Sequence, residues 1–242
     1  MEQLSTEFLV LGLIWYIVFL FSTTCHEASH ALAAKIGGDP TAFHGGQVTL
    51  NPAPHMRREP FGMLVVPILS YVLGGWMIGW ASAPYDPFWQ GRYPRRAAWM
   101  SLAGPCANFV LMLIGAMGIR IGMIAGVFQA PRAASFVRIT EVVNPDAAGT
   151  IVTFAATFLS VLFFENLLLG TFNLLPVPPL DGCTGVTLLM SERAALRFLE
   201  FTREPMFSMA GIIAAWYLFD RVFDPIFSFA LNMLYPGSGY GA

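Results

Sequence analysis

The sequence predicts an all-α polytopic membrane protein with about four transmembrane helices, a re-entrant hairpin, a short β-hairpin and an interfacial helix. Only 12% of the residues are charged, whereas a soluble globular domain carries about 25%. Apolar residues make up 56% of the chain and gather in long runs that are separated by glycine, proline and arginine. The net charge of −2 is too small to indicate a nucleic-acid partner, so the expected environment is the lipid bilayer.

The first transmembrane helix is predicted over residues 8–36. Residues 8–25 carry no charge, and the whole run is longer than the roughly 20 residues that a helix needs to cross a bilayer. Glu2 and Glu7 stand where a cleaved signal peptide would carry positive charge, so we expect this helix to remain in the protein. A Gly-Gly-Asp-Pro run then ends it.

Two shorter, irregular segments are predicted next. Within 43–52, Val48 and Leu50 alternate with polar residues, which is typical of a short strand. Its edge either holds an extended peptide or belongs to a plain surface hairpin. Residues 61–81 are apolar, but Pro67 and a Gly-Gly pair interrupt them and arginines flank both ends. Because positive charge on both flanks disfavours a crossing, we interpret this segment as re-entrant, with a true span as the alternative.

The remaining apolar runs predict the rest of the membrane domain. Residues 97–126 and 149–175 predict the second and third spans. Residues 186–203 mix leucines with charged side chains in the pattern of an interfacial amphipathic helix. Residues 206–235 predict a last span that is kinked at Pro225, because proline breaks the helical hydrogen-bond ladder.

The distribution of lysine and arginine predicts the orientation. With the N-terminus outside, nine of the 13 basic residues fall on one side and the other four on the opposite side, so the first side is cytoplasmic. The nine are Lys35, Arg57, Arg58, Arg92, Arg95, Arg96, Arg193, Arg197 and Arg203, and the four are Arg120, Arg132, Arg138 and Arg221. We expect one membrane-embedded domain over 1–242, with its core at 8–182 and a C-terminal part at 183–235.

The chemistry is concentrated in the first predicted span, where residues 26–30 read HExxH. His26 and His30 are four residues apart and share one helix face, so both imidazoles can reach one metal ion. Glu27 lies slightly further round, where it can act as a general base on a metal-bound water. Placing these side chains inside a membrane helix is costly without a metal or a water-filled cavity. The pattern therefore indicates a zinc hydrolase site within the bilayer.

A third protein ligand is expected, because catalytic zinc usually has three together with a water. Asp181 is the best candidate, because the third span returns the chain to the cytoplasmic side. The two histidines of the HExxH motif lie nearer to that side as well. His44 and His55 are rivals in loops on the same side, with solvated loop residues as the alternative interpretation.

Polar side chains in or near the spans are candidates for substrate contact. Asn108 and Asn173 are amides that can stabilise a developing oxyanion, or can bond to a neighbouring helix. Asn166 is more simply explained by helix–helix hydrogen bonding. Glu165 lies near the middle of a span, and either a neutral hydrogen-bonded carboxyl or a role in water access explains it.

Three motifs make the chain resemble the site-2 protease family of intramembrane zinc metalloproteases, and GQVTLNP at 46–52 with GWA at 79–81 resembles its small bacterial and archaeal branch. The three motifs are HExxH at 26–30, AGPCAN at 103–108 and NLLPVPPLDG at 173–182. The resemblance implies one zinc ion per chain, held by His26, His30 and Asp181, with Glu27 as the acid–base. It also implies that Asn108 and Asn173 hold the substrate or its oxyanion.

The expected function is therefore that of an intramembrane zinc endopeptidase, which cuts membrane-spanning substrates in regulated intramembrane proteolysis. The expected partners are a single-span membrane protein and the bilayer, and the oligomeric state stays open. A zinc-binding membrane protein or transporter without hydrolysis is the alternative. A transporter should repeat polar ligands along a path through the membrane, whereas this sequence has one cluster near one side.

Overall fold

The computed structural model describes residues 5–145 and 148–241, and these are mostly helical. The long helices are α1 (Thr6–Gly37), α6 (Pro94–Ile124), α7 (Thr150–Asn173) and α10 (Pro205–Leu234). The short ones are α2 (Thr41–His44), α3 (Pro52–Arg58), a π-helical turn (Phe61–Val65) that continues into α4 (Val66–Gly74), α5 (Pro87–Arg92), α8 (Asp181–Gly185), a 3₁₀ turn (Val186–Leu189) and α9 (Glu192–Thr202).

The membrane-spanning part matches the predicted runs. Within the described residues, α1, α6 and α7 are long and apolar enough to cross a bilayer, and α10 is a fourth if its two bent segments are counted as one. The bend of 48° lies between Phe219 and Arg221. Pro225 has no N–H to give to the Arg221 carbonyl four residues earlier, so the predicted kink is present one turn before the proline. The prediction of an all-α polytopic membrane protein is confirmed.

Helix α6 lies between α1 and α7 and packs along both. Small residues allow the close approach: a Cβ built on Gly115 would lie 3.2 Å from the backbone nitrogen of Phe163 on α7. Large side chains fill the bundle interior around this contact, and Trp15, Phe19 and Phe163 are at most 2% exposed. These contacts bring α1, α6 and α7 together into one packed bundle.

The segment predicted to be re-entrant folds back on itself. The backbone N–H of Trp80 donates to the carbonyl of Gly62, 3.2 Å away, which closes the base of a hairpin. Gly75, with φ of +77°, turns the chain after α4. The apolar helix from Phe61 to Gly74 is too short for the roughly 30 Å hydrocarbon core, so its shape agrees with the re-entrant interpretation rather than with a span.

The prediction of a strand within 43–52 was wrong. Thr49 and Asn51 instead bond to the nearby backbone: Thr49 Oγ1 accepts from the Asn51 N–H, and Asn51 Oδ1 accepts from the Ala53 N–H as the N-cap of α3. These local bonds, with proline at the first position of α3, outweigh the short polar–apolar alternation. A two-stranded antiparallel sheet does occur, but it pairs β1 (Phe128–Gln129) with β2 (Glu141–Val142) in the loop between α6 and α7.

The interfacial helix predicted over 186–203 corresponds to α9 and the 3₁₀ turn before it. Ala195 and Leu199 are buried, while Leu196 and Phe201 are exposed next to charged side chains. Ser191 caps the helix by accepting from the Ala194 N–H. Such a helix suits a membrane surface, where one face meets protein and lipid and the other meets water.

Candidate metal centre

Three donor atoms from two distant parts of the chain meet at the centre of the bundle. Nε2 of His26 and Nε2 of His30 lie 2.9 Å apart, one turn from each other on α1. Oδ2 of Asp181, at the start of α8, lies 3.0 Å from the first nitrogen and 3.3 Å from the second. Both imidazoles are buried, and the Asp181 side chain is 21% exposed.

The turn that carries Asp181 is fixed against α6 and the end of α7. The Ser101 hydroxyl on α6 donates to the backbone carbonyl of Asp181. A Cβ at Gly182 would overlap the carbonyl of Leu174, so only glycine allows the chain to pass this close to the end of α7. The prolines between 176 and 179 end α7 and lead into this turn. The aspartate is therefore held by backbone contacts and not by its side chain alone.

Each imidazole directs its other nitrogen at a hydrogen-bond acceptor. Nδ1 of His30 donates to the backbone carbonyl of Met100, 2.8 Å away. Nδ1 of His26 lies 2.6 Å from Oδ1 of Asn108, a residue with no exposed surface. A metal-binding histidine typically donates the N–H of its other ring nitrogen to such a partner, which fixes the tautomer and the ring orientation.

This arrangement leaves three lone pairs facing one another. With both rings protonated at Nδ1, each Nε2 is an acceptor, and the third corner is a carboxylate oxygen. Three acceptors this close repel unless a cation lies between them.

The spacing suits tetrahedral zinc. Bonds of about 2.0–2.2 Å to nitrogen and oxygen at the tetrahedral angle place ligand atoms roughly 3.3–3.5 Å apart. The three observed separations of 2.9, 3.0 and 3.3 Å approach this value, and a slight expansion accommodates the ion. Gly104 on α6 makes room for the pair, because a Cβ there would collide with Nε2 of both His26 and His30.

Glu27 completes the cluster beside the two histidines. It is 5% exposed, and one of its carboxylate oxygens lies within 4.8 Å of a ring nitrogen of His26 and of His30. Glu27 therefore lies close to the Nε2 atoms that would bind the metal. A carboxylate here can exchange a proton with a water at the centre.

The other predicted site residues have different surroundings. Asn173, at the C-terminal end of α7, is partly buried and donates from Nδ2 to the Leu169 carbonyl, 3.1 Å away. The rival ligands lie elsewhere: His44 is exposed and packs beside Phe43, and His55 is buried with Nε2 3.1 Å from the Thr49 carbonyl. Within the described part of the chain, neither histidine belongs to a cluster with metal-binding spacing.

Sequence reasoning missed three residues that support the centre, Met100, Ser101 and Ser22, and it attributed a fourth, Asn166, to helix–helix hydrogen bonding. The Met100 carbonyl and Ser101 lie on α6, and Asn166 and Ser22 extend the contact made by Asn108. A backbone carbonyl and a serine leave no pattern that distinguishes them in a sequence. Asn166 did carry a signal, because an amide in the middle of a span is costly without partners.

A bundle of apolar spans with a buried HExxH helix and a converging aspartate defines a membrane-embedded metallohydrolase. The comparisons with known proteins specify the class further. Residues 14–218 match the model of peptidase family M50, the site-2 protease family, and the chain belongs to this family. The resemblance drawn from the three motifs is thereby confirmed.

Two curated relatives carry names of the same kind. "Putative zinc metalloprotease YwhC" of Bacillus subtilis is 28% identical over 238 residues, which cover 89% of this chain and 96% of the relative. "Putative zinc metalloprotease Rip2" of Mycolicibacterium smegmatis is 29% identical over 164 residues, covering 68% of this chain and 52% of the relative. No solved structure matches the chain. The protein is thus an intramembrane zinc metalloprotease of the site-2 type, and the transporter alternative is not favoured.

Proposed function

We propose that His26, His30 and Asp181 hold one zinc ion per chain and that this centre hydrolyses peptide bonds in single-span membrane proteins. The observation that carries the proposal is the convergence of the three lone-pair atoms within 3.3 Å, with both histidine Nδ1 atoms engaged elsewhere. We further propose that residues 1–242 act as one membrane-embedded domain, with the core over 8–182.

The residues of the chain divide the chemistry between them. Bound zinc supplies Lewis acidity, which polarises a carbonyl group and lowers the pKa of water to about 7. The Glu27 carboxylate takes the proton from the attacking water and returns it to the nitrogen of the leaving amine. The Nδ1 bonds to Met100 and Asn108 keep both imidazoles facing the reacting atoms.

Substrate contact is assigned to Asn173. Its Nδ2 gives one proton to the Leu169 carbonyl, which leaves a second proton and Oδ1 available to a substrate peptide bond. Asn108, in contrast, has no exposed surface, and both ends of its amide are bonded within the bundle. We therefore assign Asn108 to the support of His26 and not to the substrate.

The position of the site along α1 supports cleavage inside the membrane. At 1.5 Å per residue, His26 lies roughly 17 Å from the helix end at Gly37, so the centre is below the surface of the membrane. The distribution of basic residues favours a cytoplasmic position for that end, with the N-terminus outside. A substrate peptide bond must therefore reach the centre from within the bilayer, near its cytoplasmic half.

The test compares three full-length chains purified in detergent on a model single-span substrate. Glu27→Gln should bind zinc as the wild type does but lose cleavage, because the amide cannot accept the proton from water. The control Glu192→Gln, at an exposed position on α9, should retain both properties. Cleavage that survives Glu27→Gln would exclude Glu27 as the base, and a wild-type protein without stoichiometric zinc would overturn the proposed centre.

A further inference from the structure

A chain of buried side chains connects the candidate metal centre to the middle of α7. Asn108 Nδ2 donates to Asn166 Oδ1, 2.9 Å away. Asn166 Nδ2 donates to the hydroxyl oxygen of Ser22, at 2.8 Å, and to the Leu162 carbonyl, at 2.9 Å. The three polar residues have no exposed surface and come from α6, α7 and α1. Together they are called the amide relay below.

The direction of every bond in the amide relay is set at one end. A backbone carbonyl can only accept, so the Leu162 carbonyl requires the NH₂ group of Asn166 to face it. The Asn166 oxygen then faces Asn108 and accepts its NH₂ group. The oxygen of Asn108 is left to face His26, where it can only accept, so Nδ1 of His26 must carry the proton.

The amide relay thus fixes the tautomer of His26, whereas the tautomer of His30 is fixed directly by a backbone carbonyl. His30 donates from Nδ1 to the backbone carbonyl of Met100, so its tautomer needs no further support. Asn108 alone cannot do the same for His26, because a free amide can rotate by half a turn and present either its oxygen or its NH₂ group. Asn166 removes this ambiguity by accepting from one end of the Asn108 amide.

We propose that Asn166 is a positioning residue that fixes the metal-binding tautomer of His26 through Asn108, with Ser22 as a second anchor of the Asn166 amide. The inference rests on the proposed role of His26 as a zinc ligand. Buried polar networks stabilise one arrangement only when every member is satisfied, so loss of one member should affect the whole relay.

Zinc affinity, measured by competition with a chelator in detergent, tests the proposal. Asn166→Leu removes the amide at similar volume and should weaken zinc binding by about 10- to 100-fold, the usual effect of losing an outer partner of a ligand. Asn232→Leu on α10 is the matched control, because Asn232 Nδ2 likewise donates to the carbonyl four residues earlier. The control should retain the wild-type affinity.

A second substitution separates positioning from packing. Asn108→Asp presents only acceptors to His26 in either rotation, so it no longer needs Asn166 to set its direction. The double variant Asn108→Asp/Asn166→Leu should therefore recover most of the zinc affinity that Asn166→Leu loses. Recovery would support the relay, because replacing Asn108 does not repair a packing defect around residue 166.

Two outcomes would overturn the inference: wild-type zinc affinity in Asn166→Leu, or no recovery in the double variant. If Asn166→Leu does not fold, as judged by thermal unfolding in detergent, Asn166→Ala is tested in the same way, alone and with Asn108→Asp. A wild-type protein that binds no zinc would instead overturn the proposed function. The two failures are therefore distinguishable.

Discussion

Oδ2 of Asp181 lies 3.0 Å from Nε2 of His26, although the two residues are 155 positions apart in the sequence. The contact depends on the backbone around the aspartate, because Ser101 binds its carbonyl and Gly182 lets the chain pass close to Leu174. Packing between α6, α7 and α8 therefore positions Asp181 beside the histidines. Replacing the Asp181 carboxylate should weaken metal binding more than it destabilises the fold.

The first prediction concerns Asp181→Asn. The substitution preserves shape but removes the negative charge, so zinc should be lost on dialysis, whereas the wild type retains about one ion as expected for a site with three protein ligands. Elemental analysis of the purified protein measures this. Asp224→Asn, at an exposed position on α10, should keep its zinc. Full zinc content in Asp181→Asn would show that the third ligand lies elsewhere.

The second prediction is that zinc stabilises the folded protein through this centre. Without a cation the three acceptors repel, and a ligand that binds only the folded state at 1,000 times its Kd adds about 4 kcal/mol of stability. The Tm in detergent should therefore fall when a chelator is added and recover with added zinc. Asp181→Asn should show little of this dependence, and an equal response in both proteins would mean that zinc acts elsewhere.

The third prediction concerns Gly104, which lies against both imidazoles. Even a methyl group at this position would collide with the two Nε2 atoms, so Gly104→Ala should displace the histidines and abolish zinc binding and cleavage. Gly91→Ala is the control, because a Cβ at Gly91 meets nothing within 4 Å. Zinc titration of both variants measures this effect. If Gly104→Ala binds zinc like the wild type, the close packing of α6 on the centre is not required for zinc binding.

The sequence predicted those parts of the molecule that local patterns encode. Long apolar runs identified the spans, and the four-residue spacing placed His26 and His30 on one face of α1. The return of Asp181 to the same side followed from counting crossings. The Met100 carbonyl and the bond between Asn108 and Asn166 depend instead on how α6 packs on its neighbours, which no local pattern records. Around Asn51 the alternation of polar and apolar residues was outweighed by a helix cap.

The fourth prediction concerns pH and Asp39, which ties the end of α1 to the start of α5. Burial raises the pKa of the Asp39 carboxyl. Hydrogen bonds from Thr41 and from the Asp86 backbone N–H lower this pKa by a larger amount, so it lies below the usual value. A pKa that is lower in the folded state gives stability that is present above the unfolded value of about 3.9 and is lost as the pH falls through the folded value.

Asp39→Asn should therefore have a lower Tm than the wild type near neutral pH, and the gap should narrow as the pH falls below about 3.9. Thermal unfolding in detergent across this range measures it. Asp224→Asn serves as the control and should follow the wild-type profile. A gap that stays constant with pH would show that Asp39 contributes through its shape and not through its charge.

The fifth prediction tests the orientation and the re-entrant hairpin together. Gly91 precedes α6 and Gly149 precedes α7; both are exposed, and a Cβ at either meets nothing within 4 Å, so cysteine should be tolerated at both positions. With the three native cysteines replaced by alanine, a membrane-impermeant maleimide applied to intact cells should label Gly149→Cys. Gly91→Cys should react only after permeabilisation, because the proposed orientation puts it on the cytoplasmic side. The reverse pattern would arise if residues 61–81 crossed the membrane with α1 oriented as proposed, since one added crossing moves Gly91 outside and Gly149 inside.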